Sequence, residues 1–253
     1  GAQAGSPAAG GAPLPVTTGP GDDVAAMPTL GVTAASGDED TAIALDIASA
    51  LTDTDGSEVL SVTIYGIPEG ASLSAGTVSE DGSVTLTAGQ LEGLTITPPA
   101  DSDTDFNLTV TATSTESNGG DTTTTTTATL PVTVAAVADA PTLEVTAASG
   151  DEDTAIALDI ASALTDTDGS EVLSVTIDDI PEGATLSAGT VNEDGSVTLN
   201  PAELAGLTIT PAANSDADFD LTVAATSTDG TDTATTTATL AVTVAAVADA
   251  PTL

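Results

Sequence analysis

From residue 29 to residue 134, apolar and polar side chains alternate with period two, and Val, Ile and Leu dominate the apolar set while Thr recurs between them. That period and that β-branched composition predict half-buried strands rather than helices. Strands are expected near residues 29–33, 42–47, 59–65, 72–78, 83–87, 94–97, 106–113 and 123–134. Asp55-Gly56, Glu69-Gly70, Asp81-Gly82 and Asn118-Gly119-Gly120 supply turn chemistry between them. Two short helical turns are expected, at residues 48–51 and 88–91; the second matches Pro201-Ala202-Glu203-Leu204, where Pro suits a first helical position. The threonine run at 122–127 reads as strand, because alternate Thr side chains suit a pleated surface with one wet face. Many short strands separated by turns predict an all-β fold, with tandem antiparallel β-sandwiches of about seven to eight strands each.

The pattern then repeats. Residues 32–64 recur without a change as 145–177, and Val137-Ala138-Asp139-Ala140-Pro141-Thr142-Leu143 recurs as Val247-Ala248-Asp249-Ala250-Pro251-Thr252-Leu253 and, altered, as Val24-Ala25-Ala26-Met27-Pro28-Thr29-Leu30. Pro28, Pro141 and Pro251 are 113 and 110 residues apart, a period that suits an independently folding module. The expected organisation is a Gly-, Ala- and Pro-rich leader over residues 1–27, a first β-sandwich repeat over 28–140, a second over 141–250, and the start of a further repeat at 251–253. The natural protein is expected to be longer than this chain. Leu14-Pro15-Val16-Thr17 resembles Leu130-Pro131-Val132-Thr133, so the leader reads either as the tail strand of a preceding module or as a strand that adds to another chain's sheet edge.

Charge changes this picture. Lys, Arg and His are absent while Asp and Glu number 39, for a formal net charge of −39. Such a surface repels a nucleic-acid backbone, and it opposes compaction unless the acids are spread over a solvated surface or cations are bound. Disorder is a natural reading of an acidic, aromatic-poor chain, but the 40% of apolar residues are patterned, and patterning is what a core requires. With Tyr65, Phe106 and Phe219 the only aromatics, the cores must be built from Val, Leu, Ile and Ala. No cysteine is present, so disulfides and thiolate chemistry are excluded. No apolar run approaches the length of a membrane-spanning helix. The usual nucleophile and base partners His, Lys and Cys do not exist here, which argues against an enzyme. Tyr65 is the one platform a sugar would stack on, and the second repeat replaces it with Asp178, so it reads as a strand-end residue.

The acids gather rather than scatter. They stand at Asp38-Glu39-Asp40, at Asp53-Thr54-Asp55-Gly56-Ser57-Glu58, at Asp101-Ser102-Asp103-Thr104-Asp105 and at Asp139, with Asp151-Glu152-Asp153, Asp166-Thr167-Asp168-Gly169-Ser170-Glu171, Asp216 and Asp218 repeating the series. Clustered oxygen ligands without His or Cys suit a hard cation, and Ca²⁺ tolerates irregular cages of carboxylates and carbonyls. Taken singly, each Asp-Gly loop is also an ordinary turn. Strand direction joins them. If the first strand runs down from the seam, residues 38–40 lie at the bottom of a repeat, residues 53–58 return to its top, and the loop 101–105 lies at the bottom again. At the seam between the two repeats this places Glu39, Asp40, Asp101, Asp103 and Asp105 below, Asp139 in the linker, and Asp166 and Asp168 above, as the expected metal ligands. Carboxylates so close repel unless protonated or neutralised by bound Ca²⁺. At the first seam Ala26 stands in the place of the linker Asp, and the site there is expected to be weakened or absent.

Taken together, Asp-Glu-Asp-Thr, Leu-Thr-Asp-Thr-Asp-Gly-Ser-Glu, Ile-Pro-Glu-Gly-Ala, Leu-Thr-Ile-Thr-Pro and Val-Ala-Asp-Ala-Pro-Thr-Leu resemble the tandem cadherin-like, immunoglobulin-like repeats of giant bacterial RTX adhesins, over both repeats almost end to end. The resemblance implies Ig-like, cadherin-like sandwiches in a secreted, extracellular, cell-surface protein used in cell adhesion. Its repeats would act as an extender, partnered by neighbouring repeats of the same chain and stiffened by Ca²⁺ at the junctions. The glycine-rich nonapeptide repeats and the C-terminal secretion signal of that family are absent from this sequence. A second reading is a self-assembling fibre or biofilm-matrix subunit joined by strand addition through the leader or the sheet edges. Neither reading involves nucleic acid or membrane insertion.

Overall fold

The computed structural model describes residues 24–53, 56–117, 123–166 and 168–248. The leader motif at residues 14–17, the turn at Asn118-Gly119-Gly120, Asp249 and residues 251–253 lie outside the described residues. In chain order the strands of the first repeat are β1 (Thr29–Thr33), β2 (Ala35–Asp38), β3 (Ile43–Ala44), β4 (Asp46–Ala50), β5 (Glu58–Tyr65), β6 (Ser72–Leu73), β7 (Thr77–Val78), β8 (Val84–Thr87), β9 (Thr95–Thr97), β10 (Phe106–Glu116) and β11 (Thr123–Ala135). Those of the second are β12 (Thr142–Thr146), β13 (Ala148–Asp151), β14 (Ile156–Ala157), β15 (Asp159–Ala163), β16 (Val172–Asp178), β17 (Thr185–Leu186), β18 (Thr190–Val191), β19 (Val197–Leu199), β20 (Thr208–Thr210), β21 (Phe219–Asp229) and β22 (Asp232–Ala245). The chain is all-β, and both repeats have the same strand order.

In the first repeat one sheet runs β2-β11-β10-β5-β8-β7; the other face carries the pair β1-β4 and the triplet β3-β9-β6. Pairing is antiparallel except between β2 and β11, which run parallel with Ala35 opposite Val132 and Asp38 opposite Ala135. The entering segment therefore serves both sheets: β1 pairs with β4, the chain crosses over at Ala34, and β2 joins the edge beside the strand that leaves the repeat.

Strand β2 is not anticipated by alternation, because Ala-Ser-Gly-Asp reads as a turn. Its glycine has a packing reason: a Cβ on Gly37 would lie 2.8 Å from Cγ1 of Ile43. The helical turn expected at 48–51 does not form. Residues through Ala50 continue β4, because β1 offers a partner in register, with Leu30 opposite Ser49 and Thr29 opposite Ala50. Pairing thus overrides the helical preference of an Ala-rich stretch. The other expected turn is a single 3₁₀ turn at Ala88–Gln90 and again at Pro201–Glu203, where the Ala202 amide donates to Asn200 Oδ1 at 3.0 Å. From Thr123 onward the threonine run is strand, and its inward hydroxyls grip the incoming chain: Thr124 Oγ1 donates to the Ala26 carbonyl and Thr126 Oγ1 to that of Pro28. Thr236 Oγ1 does the same for Pro141 in the second repeat. The three-residue difference between the two periods lies in one hairpin, since Thr115 pairs with Thr123 whereas Thr228 pairs with Thr233.

Each repeat has its own apolar core. The first is centred on Val62, Ile64, Ile96, Leu108, Val110 and Leu130, the second on Val175, Ile177, Ile209, Leu221, Val223 and Leu240. Phe106 and Phe219 only pack against the margin, so both cores are aliphatic. Aliphatic cores of this size leave little slack for volume changes. Gly76 shows the tightest point. It holds φ +110°, and a Cβ there would lie 2.3 Å from Val84 Cγ1. Replacing Gly76 by Ala is expected to cost about 3 kcal/mol, combining the left-handed penalty with overpacking. Gly82→Ala, at φ +80° with nothing within 4 Å, is expected to cost about 1 kcal/mol. Denaturant unfolding of the two variants checks this, and equal losses would show that the space behind Gly76 is not limiting.

Candidate metal centre

The linker between the repeats is held by carboxylates from both sides. Three consecutive amides are taken: Val137 donates to Glu39 Oε1 at 2.7 Å, Ala138 to Asp232 Oδ2 at 3.2 Å, and Asp139 to Glu171 Oε1 at 2.6 Å. Glu39 follows β2 in the first repeat, Glu171 precedes β16, and Asp232 opens β22. Glu39 is only 2% exposed, and its Oε2 is buried with no hydrogen-bond partner among the described residues. Glu171 is likewise buried, with its Oε2 in the same position. Two strong acceptors are therefore withdrawn from water without a donor, a costly arrangement in a chain that has no cation of its own.

Below the linker, Asp40 and Asp101 both occupy the left-handed region, at φ 55° and 54°. The Asp101 amide donates to Asp40 Oδ1 at 3.0 Å, which fixes the two loops against each other. With Asp139 they form a group in which one carboxylate oxygen from each lies within 4.8 Å of the others. That spacing suits one ion, since Ca²⁺ binds oxygen at roughly 2.3–2.6 Å and its ligands then lie about twice that distance apart at most. Above the linker, the Asp168 amide donates to Asp166 Oδ1 at 2.8 Å and the Ser170 amide to Asp168 Oδ1 at 2.7 Å, so this loop is folded around its own acids. Asp166 is buried while Asp168 is exposed.

Electrostatics link these groups across the junction. Burial raises the pKa of Glu39 to about 7; the Val137 amide opposes the rise, and Asp229, Asp166 and Asp40 add to it. Burial also raises Asp139, with Glu171, Asp40 and Asp101 adding to the effect. Asp166 is raised by burial against the opposing Asp168 amide, with further increments from Asp168, Asp101 and Glu171. Asp229 is raised by burial and then by Asp103, Glu171 and Asp168, while Ser170 opposes the rise. Seven of the residues expected from sequence thus stand in one mutually repelling set: Glu39, Asp40, Asp101, Asp103, Asp139, Asp166 and Asp168. Asp105 is exposed and has a different attachment, accepting the Val134 amide at Oδ1 over 2.8 Å and so bracing its loop against β11. By contrast, Asp81 and Asp194 are ordinary turn acids, each lowered by the hydroxyl and amide of the serine two residues on.

Glu171 closes one of the acid motifs of the sequence but is not among the expected ligands, and Asp229 and Asp232 lie outside every such motif. Asp229 carries a signal nonetheless, since it continues the inward phase of Leu221, Val223, Ala225 and Ser227 and is buried at the end of that row. An acid in an apolar phase is a buried acid.

No family model matches the sequence, and no curated protein matches it. Solved structures similar to it include protocadherin gamma B2 extracellular cadherin domains 1–5, at 16% identity and a TM-score of 0.43, with 90% of this chain and 41% of that one covered. Mouse cadherin-23 EC22–24 is similar at 18% identity and 0.38, covering 87% and 65%. Drosophila N-cadherin EC1–4 is similar at 16% and 0.37, covering 87% and 50%. The chain spans less than half the length of the first of these. At such identities and scores, the fold of this chain rests on its own strand order and register.

The raised acids set the sign of a pH effect. Glu39 moves from an ordinary value of 4.5 to about 7, so between those values the folded, ion-free chain holds a proton that the unfolded chain has released. Ion-free stability is therefore expected to fall as pH rises through this window, with Asp139, Asp166 and Asp229 acting in the same direction. Thermal melting in chelator at pH 5 and pH 7.5 checks it: the melting temperature should be lower at pH 7.5, and a higher one would contradict the assignment.

Proposed function

We propose that this chain is a run of extender repeats from a secreted bacterial surface adhesin, and that Ca²⁺ stiffens the junction where one repeat meets the next. The observation that carries the reading is the convergence of carboxylates from both repeats on three consecutive linker amides, in a chain without a single basic side chain. The donor set fits the ion. It consists of oxygen alone, it includes the buried, unpartnered Oε2 atoms of Glu39 and Glu171, and its like charges need a counter-ion. Asp40, Asp101 and Asp139 would share one Ca²⁺, while Glu39, Asp103, Asp166, Asp168, Glu171 and Asp229 would hold further ions across the linker. The ion supplies positive charge and takes a large oxygen coordination shell; the chain supplies carboxylates on both sides of the linker, and binding would fix that linker in place.

Extracellular modules bind Ca²⁺ at about 10⁻⁴ to 10⁻³ M. On this reading the junctions are loose in a calcium-poor cytoplasm and lock outside the cell. The resemblance of the repeated motifs to RTX adhesin extenders supports the assignment to a bacterial surface. Neighbouring repeats are then the immediate partners, and the physical product is reach.

Small-angle scattering and calorimetry test this. Ca²⁺ at tenfold above its dissociation constant is expected to add about 1.4 kcal/mol per site and to raise the melting temperature by several degrees. It should also lengthen the maximum dimension, reversibly on chelation. Asp139→Ala should abolish the change in dimension; an unchanged chain in both media would sink the proposal.

A further inference from the structure

The two repeats are identical from 32 to 64 and from 145 to 177, and they part company at the next residue. Tyr65 and Gly66 stand where the second repeat has Asp178 and Asp179, and Asn107 stands where it has Asp220. Strand register gathers these changes at one place. Tyr65 lies opposite Thr109, the second residue after Asn107 on β10, and Asp178 lies likewise opposite Thr222. In the second repeat the Thr222 hydroxyl donates to Asp179 Oδ2 at 2.6 Å, which holds that acid beside the sheet. The first repeat thus lacks three acids at one end of one sheet face.

The rest of that face is uncharged as well. None of the 39 acids of the chain occupies an outward position of β5, β8, β10 or β11. Threonines line up across the strands instead: Thr77, Thr85, Thr63, Thr111 and Thr127 form one row. Within it the hydroxyls bond in pairs, Thr63 with Thr85 at 3.2 Å and Thr111 with Thr127 at 3.1 Å. Hydroxyls already paired cost less to take out of water than free ones. The two ends of β5 add exposed apolar side chains, Val59 at 59% and Tyr65 at 42%. The other face of the sandwich is different, since its pair β1-β4 carries exposed Asp46, and the equivalent pair of the second repeat carries exposed Glu144 and Asp159.

We infer that the outer face of β5, β8, β10 and β11 in the first repeat is a self-association surface, on which a second copy of the chain docks with the same face. Charge selects this face. A body with 39 acids and no base can approach its twin closely only where neither presents an acid, and beyond the contact the repulsion is screened within about 8 Å at physiological salt. A two-fold contact uses one patch on both partners, and rows of a single residue type match themselves. With the strands of the two copies antiparallel, Tyr65 of each copy meets Val59 of the other. Strands about 26 Å long and about 4.8 Å apart offer roughly 400–500 Å² per copy. A pair then buries about 800–1,000 Å², the size of a weak and reversible contact. No junction acid takes part, so the inference stands apart from the Ca²⁺ reading.

Sedimentation velocity of the full chain in chelator, at rising protein concentration, tests it. The parent should form a reversible dimer, more readily at about 0.5 M than at about 0.05 M NaCl, because salt screens the remaining repulsion. Tyr65→Asp/Asn107→Asp writes the second repeat's own residues into the first. It should weaken dimerisation at least about tenfold, since each new acid enters a two-fold contact twice. An unchanged melting temperature reports that it folds. Asp178→Tyr/Asp179→Gly/Asp220→Asn makes the reverse exchange and should give the chain a second associating face, hence assemblies larger than dimers. A parent that stays monomeric at both salts would overturn the inference, and so would a Tyr65→Asp/Asn107→Asp variant that dimerises like the parent, which moves the contact to another surface. If that variant melts early, the reverse exchange decides, and no gain in assembly there would overturn the inference too. A chain that dimerises in chelator yet keeps its dimension when Ca²⁺ is added would reject the junction reading and keep this one.

Discussion

A carboxylate in this chain has no basic side chain to turn to. With no Lys, Arg or His among 253 residues, the donors that the residues of the molecule offer a carboxylate are backbone amides, hydroxyls and the side-chain amides of Asn and Gln. The structure divides its acids accordingly. Asp81 and Asp194 curl onto the serine two residues ahead and are satisfied locally. Glu39, Glu171 and Glu58 instead reach across chain segments, spend one oxygen on a distant amide and leave the other buried without a partner. Amides carry only partial charge, so a set of acids brought together in this way remains under-compensated. The junction is built at the limit of what amides alone can hold.

The fold was legible where period two was strong. The strands that form β5, β8, β10 and β11 follow directly from alternating Val, Ile, Leu and Thr, and the identical block from 32 to 64 makes the second repeat a copy of the first. Two elements escaped for opposite reasons. β2 is short and glycine-containing, and it exists because the departing strand offers it an edge. The stretch at 48–51 has helical composition but sits opposite β1. In both cases the deciding partner is far away in sequence, where local propensity carries no information.

The gathering of acids at the junction was legible through strand direction, which is a coarse quantity. It placed Glu39, Asp40, Asp101, Asp103, Asp139, Asp166 and Asp168 at one level. It could not tell which acids at that level turn inward. Asp105 turns to Val134 and serves its own loop, whereas Asp229 and Glu171, at the ends of inward-facing rows, reach the junction. Phase within a strand, added to direction, would have separated them.

The parallel pairing of β2 with β11 has a mechanical consequence. The chain enters a repeat through β1 and β2 and leaves it through β11, and β2 and β11 lie side by side with the same direction. Tension applied to the two ends of the repeat then drags β2 one way and β11 the other, along their common axis. Their four register pairs, from Ala35–Val132 to Asp38–Ala135, are loaded together in shear instead of being opened one after another. β13 and β22 repeat the arrangement. Each repeat therefore meets a pull with its hydrogen bonds in parallel, the stronger of the two ways a sheet can be asked to bear load.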